Sequence, residues 1–172
     1  MNVLILSGPT REYLDPVRYL SNASSGRQGA ELARAALERG HRVTVVQGPT
    51  SVDLPAGVQR VDVISAEDML EAASNLHTDS DLVIGAAAVS DFRPANPSDR
   101  KRKRSRADDE RWSLELVPNP DVLKSLGYFK QSRIHVGFAL ETESLIDNAR
   151  RKLEEKNLDW IVANSPDAID AG

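Results

Sequence analysis

Short runs of apolar, largely β-branched residues alternate along this chain with segments whose apolar residues recur at helical spacing. That alternation leaves few folds open. Residues 3–6, 42–46, 58–63, 82–84, 134–138 and 158–163 read as strands. Between them lie helical patterns. Ala30, Ala33, Ala36 and Leu37 define a helix over 28–39, with Gly40 placed to end it. Ser65-Ala66-Glu67-Asp68 has capping-box spacing and opens a helix to about residue 76. Asn119-Pro120-Asp121 starts a short helix to about residue 126, with proline in its first turn. Residues 142–156 form a further helix. Residues 11–26, rich in Ser, Asn, Pro and Gly, read as a polar connection. Residues 93–111, Pro-rich and then highly charged, read as a mobile flap, and 112–117 as a half-buried strand. Parallel strands need crossover helices, so the expected fold is a three-layer α/β/α, Rossmann-like domain with a mainly parallel sheet. At 172 residues the chain is one domain, residues 1–172.

Composition narrows the function. Twenty-two Lys+Arg against 26 Asp+Glu leave a net charge of −4, which argues against a broadly basic nucleic-acid surface. The absence of cysteine excludes a disulfide framework, a thiolate metal site and a Cys nucleophile. No apolar run approaches the ~20 residues of a membrane span, and Met1-Asn2-Val3-Leu4 lacks a basic leader, so the expected location is cytoplasmic with no membrane partner. His41, His77 and His135 show no ligand spacing and read as structural, and no metal-ligand set is expected.

In an open parallel sheet, ligands bind outside the carboxyl ends of the strands. Four segments there carry candidate chemistry. Residues 7–29 pass from Gly8-Pro9-Thr10 to Asn22-Ala23-Ser24-Ser25-Gly26, just before a helix. Small residues and free N–H groups suit a phosphate; a solvated Ser-rich loop explains the same pattern equally well. Gly26 and Gly29 make only half of a dinucleotide fingerprint. The second segment, Gly85-Ala86-Ala87-Ala88-Val89-Ser90-Asp91, leaves room for a planar group, with Asp91 placed for a metal-phosphate or a base edge. Tight strand packing, with Asp91 as a turn residue, is the simpler account of that segment alone. Six of the seven residues from Arg100 to Arg106 are cationic: a solvated loop, a polyphosphate clamp or a nucleic-acid patch. Lys152 and Lys156 share one helix face and are compatible with gripping a triphosphate, although an ordinary exposed face is the stronger reading of two lysines alone.

Taken in order, Ser7-Gly8-Pro9-Thr10-Arg11, Asp15-Pro16-Val17-Arg18-Tyr19, Ser21-Asn22 with Ser24-Ser25-Gly26, Ala86-Ala87-Ala88-Val89 with Asp91-Phe92-Arg93, Lys101 with Lys103, Leu116-Val117 with Asn119-Pro120-Asp121, Gly137-Phe138-Ala139 with Glu141-Thr142, and Lys156-Asn157-Leu158-Asp159 resemble phosphopantothenate–cysteine ligase, or phosphopantothenoylcysteine synthetase, through nearly the whole chain. The resemblance implies a ligase of coenzyme A biosynthesis. It joins 4′-phosphopantothenate to cysteine through an acyl-nucleotide, with CTP or ATP as cosubstrate and Mg2+. It implies Lys101 on the flap and Asn22 as catalytic residues. Gly8, Gly85, Ala86, Ala87, Asp91, Pro120, Asp121, Val122, Leu123, Phe138, Lys152 and Lys156 would bind nucleotide, and Asn22, Ser24, Ser25 and Gly26 the substrate. A homodimer is expected.

Three departures from the family stand out. The sequence opens at the ligase motif, without the flavin-dependent decarboxylase half that precedes this region in many bacterial members, so no flavin is expected here and a separate decarboxylase is an expected partner. The sequence runs to Gly172, short of the C-terminal tail that the family usually carries. The flap carries Lys-Arg-Lys-Arg where Lys-x-Lys-Lys is common, and Arg does not replace Lys group for group. These departures motivate a second reading, a nucleotide-binding relative that has lost turnover. A Rossmann oxidoreductase would need a complete glycine fingerprint and an acid ending the second strand, where this chain has Gln47-Gly48-Pro49. Nucleic-acid binding through the basic run ranks last, because aromatics are only 5% and just Phe92 and Trp112 flank the run.

Overall fold

The computed structural model describes residues 1–103 and 112–165. Its centre is one six-stranded, wholly parallel sheet. In chain order the elements are β1 (Asn2–Ser7), β2 (Arg11–Asp15), β3 (Arg18–Ser21), α1 (Arg27–Glu38), β4 (Arg42–Gln47), β5 (Gln59–Asp62), α2 (Ala66–His77), β6 (Leu82–Gly85), β7 (Phe92–Pro94), β8 (Leu116–Pro118), α3 (Val122–Gly127), β9 (Ile134–Leu140), α4 (Leu145–Glu155) and β10 (Trp160–Asn164). The sheet order is β10-β9-β6-β1-β4-β5. Successive strands build outward from β1 to one side, then resume on its other side at β6. The strand order therefore reverses between β1 and β6, and a crevice opens outside their carboxyl ends.

The sheet is buried on both faces because successive residues of β1 point to opposite sides. Leu4 and Leu6 pack with Val46, Met69, Ala73, Val83, Val122 and Leu126, beneath α2 and α3. Val3 and Ile5 pack with Ala33, Ala36, Val43, Val45 and Ile84, beneath α1. The capping box of α2 forms as expected: the Asp68 N–H donates to Ser65 Oγ (3.1 Å) and the Ser65 N–H to Asp68 Oδ2 (2.9 Å).

Three local expectations change. The polar connection of residues 11–26 contains the antiparallel hairpin β2–β3. Its alternation is hidden by Glu12 and Asp15, both buried. Glu12 is held by the Ala66 N–H at the start of α2 (2.9 Å). The half-buried strand expected over 112–117 shortens to Leu116–Pro118, which pairs with β7 across the root of the expected flap, while Trp112 and Leu116 stay exposed. Pro120 lies before the first turn of α3: Asp121 is the N-cap, accepting the Lys124 N–H at 3.1 Å. Of the expected flap, residues 104–111 lie outside the described residues.

Candidate functional site

A cleft of about 550 Å³ opens at the crevice between β1 and β6. Its floor is the end of β6, Gly85, with Ala86 and Ala87. A Cβ on Gly85 would come within 2.3 Å of Leu123 Cδ1, so this floor accepts no side chain without moving α3.

On one side stands the start of α1. Gly26 is its N-cap in the left-handed region (φ 80°), with no side-chain cap hydrogen bond and no acidic residue in the first turn. The positive end of the helix dipole faces the cleft beside Gly26 and Gln28, an arrangement that favours an anion. Asn22 sits at the lip and donates from Nδ2 to the carbonyls of Ala88 (3.2 Å) and Val89 (3.0 Å). These bonds tie the loop after β3 to the loop after β6 and fix the Asn22 amide. Thr10 reinforces the same junction, its hydroxyl accepting the Ser90 N–H at 3.0 Å.

The opposite wall comes from the start of α3, the end of β9 and α4. Asn119 donates from Nδ2 to the Ser90 carbonyl (2.8 Å), and its N–H donates to the Asp91 carbonyl (2.8 Å). Lys152 in α4 and Lys156 at its C-cap both reach the cleft. Lys152 Nζ meets Glu141 Oε1 at 2.5 Å, and Glu141 Oε2 accepts from Asn148 Nδ2 at 3.1 Å. Lys156 Nζ meets Asp121 Oδ2 at 2.9 Å. Each lysine thus enters the wall already paired, so an incoming anion must share it with a carboxylate.

The fold gathers Asn22, Ser24, Gly26, Gly85, Ala86, Ala87, Asp91, Pro120, Asp121, Val122, Leu123, Phe138, Lys152 and Lys156 on one cleft. Three expected site residues are not on its wall. Gly8 supports the turn behind it, with φ 76° and Gly48 packed close. Ser25, half-buried, is taken up by the turn before α1, its carbonyl accepting from the Thr50 hydroxyl and its Oγ from the Arg27 N–H (3.3 Å). Lys101 is exposed. Sequence reasoning gave no site role to Gln28, Ser90, Asn119 or Asn164, which also line the cleft, nor to Glu141. For Asn119 a signal existed, in the Asn-Pro-Asp triplet; for Asn164, on an edge strand, none did. His77 and His135 are core residues, buried at 3% and 0% exposure.

A doubly wound parallel sheet, with a small-residue floor and an uncapped helix start at its strand-order reversal, defines a Rossmann-like α/β domain suited to an anionic ligand with a planar part. Residues 1–172 match the model of the DNA/pantothenate metabolism flavoprotein C-terminal domain, and the chain belongs to that family. It is similar to the coenzyme A biosynthesis bifunctional protein CoaBC of Bacillus subtilis, 46% identical over 172 residues, covering 99% of this chain and 42% of that protein. It is also similar to CoaBC of Haemophilus influenzae, 44% identical over 165 residues, covering 95% of this chain and 40% of that protein. The chain thus spans about two fifths of the length of these relatives. Among solved structures, the C-terminal domain of a coenzyme A biosynthesis bifunctional protein CoaBC superposes with a TM-score of 0.84. The identity there is 41%, over 95% of this chain and 76% of that one.

Proposed function

We propose that this chain is a phosphopantothenate–cysteine ligase of coenzyme A biosynthesis. The observation that carries the reading is the cleft itself. Fourteen residues to which the family resemblance gives nucleotide or substrate roles lie on one wall system, between the uncapped start of α1 and the lysines at the end of α4. Membership of the family and the similarity to two CoaBC proteins support it.

In the first step a carboxylate oxygen of 4′-phosphopantothenate attacks the α-phosphorus of a nucleoside triphosphate, and the bond to the bridging oxygen breaks to release pyrophosphate. In the second, the amine of cysteine attacks the acyl carbon, loses a proton, and expels the nucleoside monophosphate. The first step brings anions together, so it needs cations and positioning more than a base. Lys101, Lys152 and Lys156 are the cations proposed for it, and the start of α1 supplies further N–H dipoles. Asn22, its amide fixed on the carbonyls of Ala88 and Val89, is placed to orient the acyl-nucleotide for the amine.

CTP is the proposed cosubstrate, with ATP as the alternative. Mg2+ usually keeps several waters and is held by one or two carboxylates plus substrate phosphates. Asp91, on the cleft wall, fits that role, and the ion would neutralise phosphate charge there. We further propose a homodimer, a cytoplasmic location and a flavin-dependent decarboxylase as partner. Among the described residues, no helix is long and apolar enough to cross a membrane.

The test is pyrophosphate release with Mg2+, 4′-phosphopantothenate and each of CTP, ATP, UTP and GTP, with and without cysteine. Release that depends on phosphopantothenate is expected. The second reading, a binding relative without turnover, is favoured by the position of Lys101 off the cleft wall. It predicts nucleotide binding with no release.

A further inference from the structure

Asp15 ends β2 and is only 3% exposed, yet it is a carboxylate. Its two oxygens do different work. Oδ1 accepts the main-chain N–H groups of Val17 and Arg18, each at 3.0 Å, and so closes the turn between β2 and β3. Oδ2 accepts from Arg18 Nε at 2.9 Å and from Arg18 Nη2, and then from the main-chain N–H of Arg102 at 3.2 Å, 87 residues along the chain. Arg18 Nη2 completes the grip by donating to the Arg102 carbonyl at 2.8 Å. The Arg102 guanidinium lies 4.6 Å from the centroid of the Trp112 ring, with that of Arg18 at 6.0 Å.

A hairpin turn needs the Oδ1 bonds. It does not need the Oδ2 bonds, which hold the Arg102 N–H directly and, through Arg18 Nη2, the Arg102 C=O. Lys101 and Lys103 flank that residue and are exposed. The same hairpin runs on through β3 into Asn22 at the cleft lip, four residues past Arg18 and so roughly 13 Å along an extended chain. One hairpin therefore joins the fixed Asn22 amide to the root of the segment that carries Lys101. The Arg18 guanidinium holds the Asp15 carboxyl well below the usual carboxylate range, so the grip persists at any working pH.

We propose that Asp15 is a positioning residue for the activation step: through Arg18 and the Arg102 peptide it sets where the Lys101 ammonium stands relative to the cleft. The inference rests on the ligase reading and on the role given there to Lys101.

Asp15→Asn separates the two functions of the carboxylate. Its remaining carbonyl oxygen still closes the turn, while its amide turns donors toward the donors of Arg18 and Arg102. Two readouts are taken on the whole chain. The first is phosphopantothenate-dependent pyrophosphate release, split into kcat and nucleotide KM. The second is the rate of trypsin cleavage after Lys101, Arg102 or Lys103, assigned by mass spectrometry. Asp15→Asn is expected to lower kcat at least tenfold, to leave nucleotide KM within twofold, and to raise cleavage at those three positions at least fivefold. A folded Asp15→Asn with unchanged kcat and unchanged cleavage overturns the proposal, while loss of release in Lys101→Gln shows the ligase reading intact. If the wild-type chain releases no pyrophosphate with any nucleotide, the ligase reading falls and the positioning role falls with it; the cleavage readout then tests the anchor alone. Should Asp15→Asn fail to fold, Arg18→Gln leaves both turn bonds in place and is held to the same expectations.

Discussion

His77 at the end of α2 and His135 in β9 meet through their Nε2 atoms, 3.0 Å apart and both buried. The contact needs one ring to donate and the other to accept, so the accepting ring is neutral, and burial favours the neutral form of its partner. His135 Nδ1 is buried without a partner among the described residues. An orphaned acceptor is tolerated better than an orphaned donor, which places the His135 proton on Nε2. Burial, then the neighbouring His77, pushes His135 down to about 4, and burial, then Arg133, lowers His77. The unfolded chain takes up these protons near pH 6.5, and the folded chain does so at lower pH, near 4 for His135. Stability is therefore full above pH 6.5 and is lost as pH falls toward 4, by about 3 kcal/mol for His135. Urea midpoints from pH 7.5 to 4.5 measure this. His135→Gln should flatten the slope, and an unchanged slope would defeat the assignment.

Lys152 is expected to contribute to nucleotide affinity more than to stability. Its pair with Glu141 is partly exposed, so breaking it costs about 1 kcal/mol or less in folding. A charged hydrogen bond to a bound phosphate contributes ~1.5–3 kcal/mol, so Lys152→Ala should raise nucleotide Kd roughly 10- to 100-fold. Calorimetric titration with the active nucleotide decides it. A change within threefold would remove Lys152 from the binding set.

Asn22→Asp replaces a donor with a carboxylate against two carbonyl oxygens. The amide-forming step should slow more than activation, so that acyl-nucleotide accumulates in a quenched reaction. Equal loss in both half-reactions would count against the role.

Lys101→Gln should abolish acyl-nucleotide formation and leave the unfolding midpoint unchanged, because the residue is exposed. Undiminished pyrophosphate release in that variant would defeat its catalytic role.

Gly85→Val places a Cβ 2.3 Å from Leu123 Cδ1, on the cleft floor. Displacing α3 should destabilise the chain by ~1–3 kcal/mol and lower nucleotide affinity at least tenfold. Normal affinity in a folded variant would show that the floor is not part of the site.

Periodicity alone made the sheet legible. The apolar runs of β1, β4 and β6 have to be buried on both faces, and the helices between them force parallel crossovers. The Ser65–Asp68 box was readable for the same reason, since its bonds close within four residues. The gathering of site residues on one cleft could be anticipated only through the resemblance to the ligase family, since Lys152 and Lys156 by themselves read as an ordinary exposed face. Other relationships carried no local signal. The β2–β3 hairpin hid its alternation behind Glu12 and Asp15, whose partners at Ala66 and Arg102 lie 54 and 87 residues away. The exposure of Trp112 depended on how β8 paired, and the pairing of Lys152 with Glu141 on how α4 packs across the end of β9. The chain's sequence by itself determined the six strands of the parallel sheet and the helices between them, because apolar periodicity is a property of each segment alone. Only the tertiary structure decided which charges meet and which histidines share a proton. Those partners stand 11 residues apart for Lys152 and Glu141, and 58 for the histidines, and they meet only once the sheet has assembled.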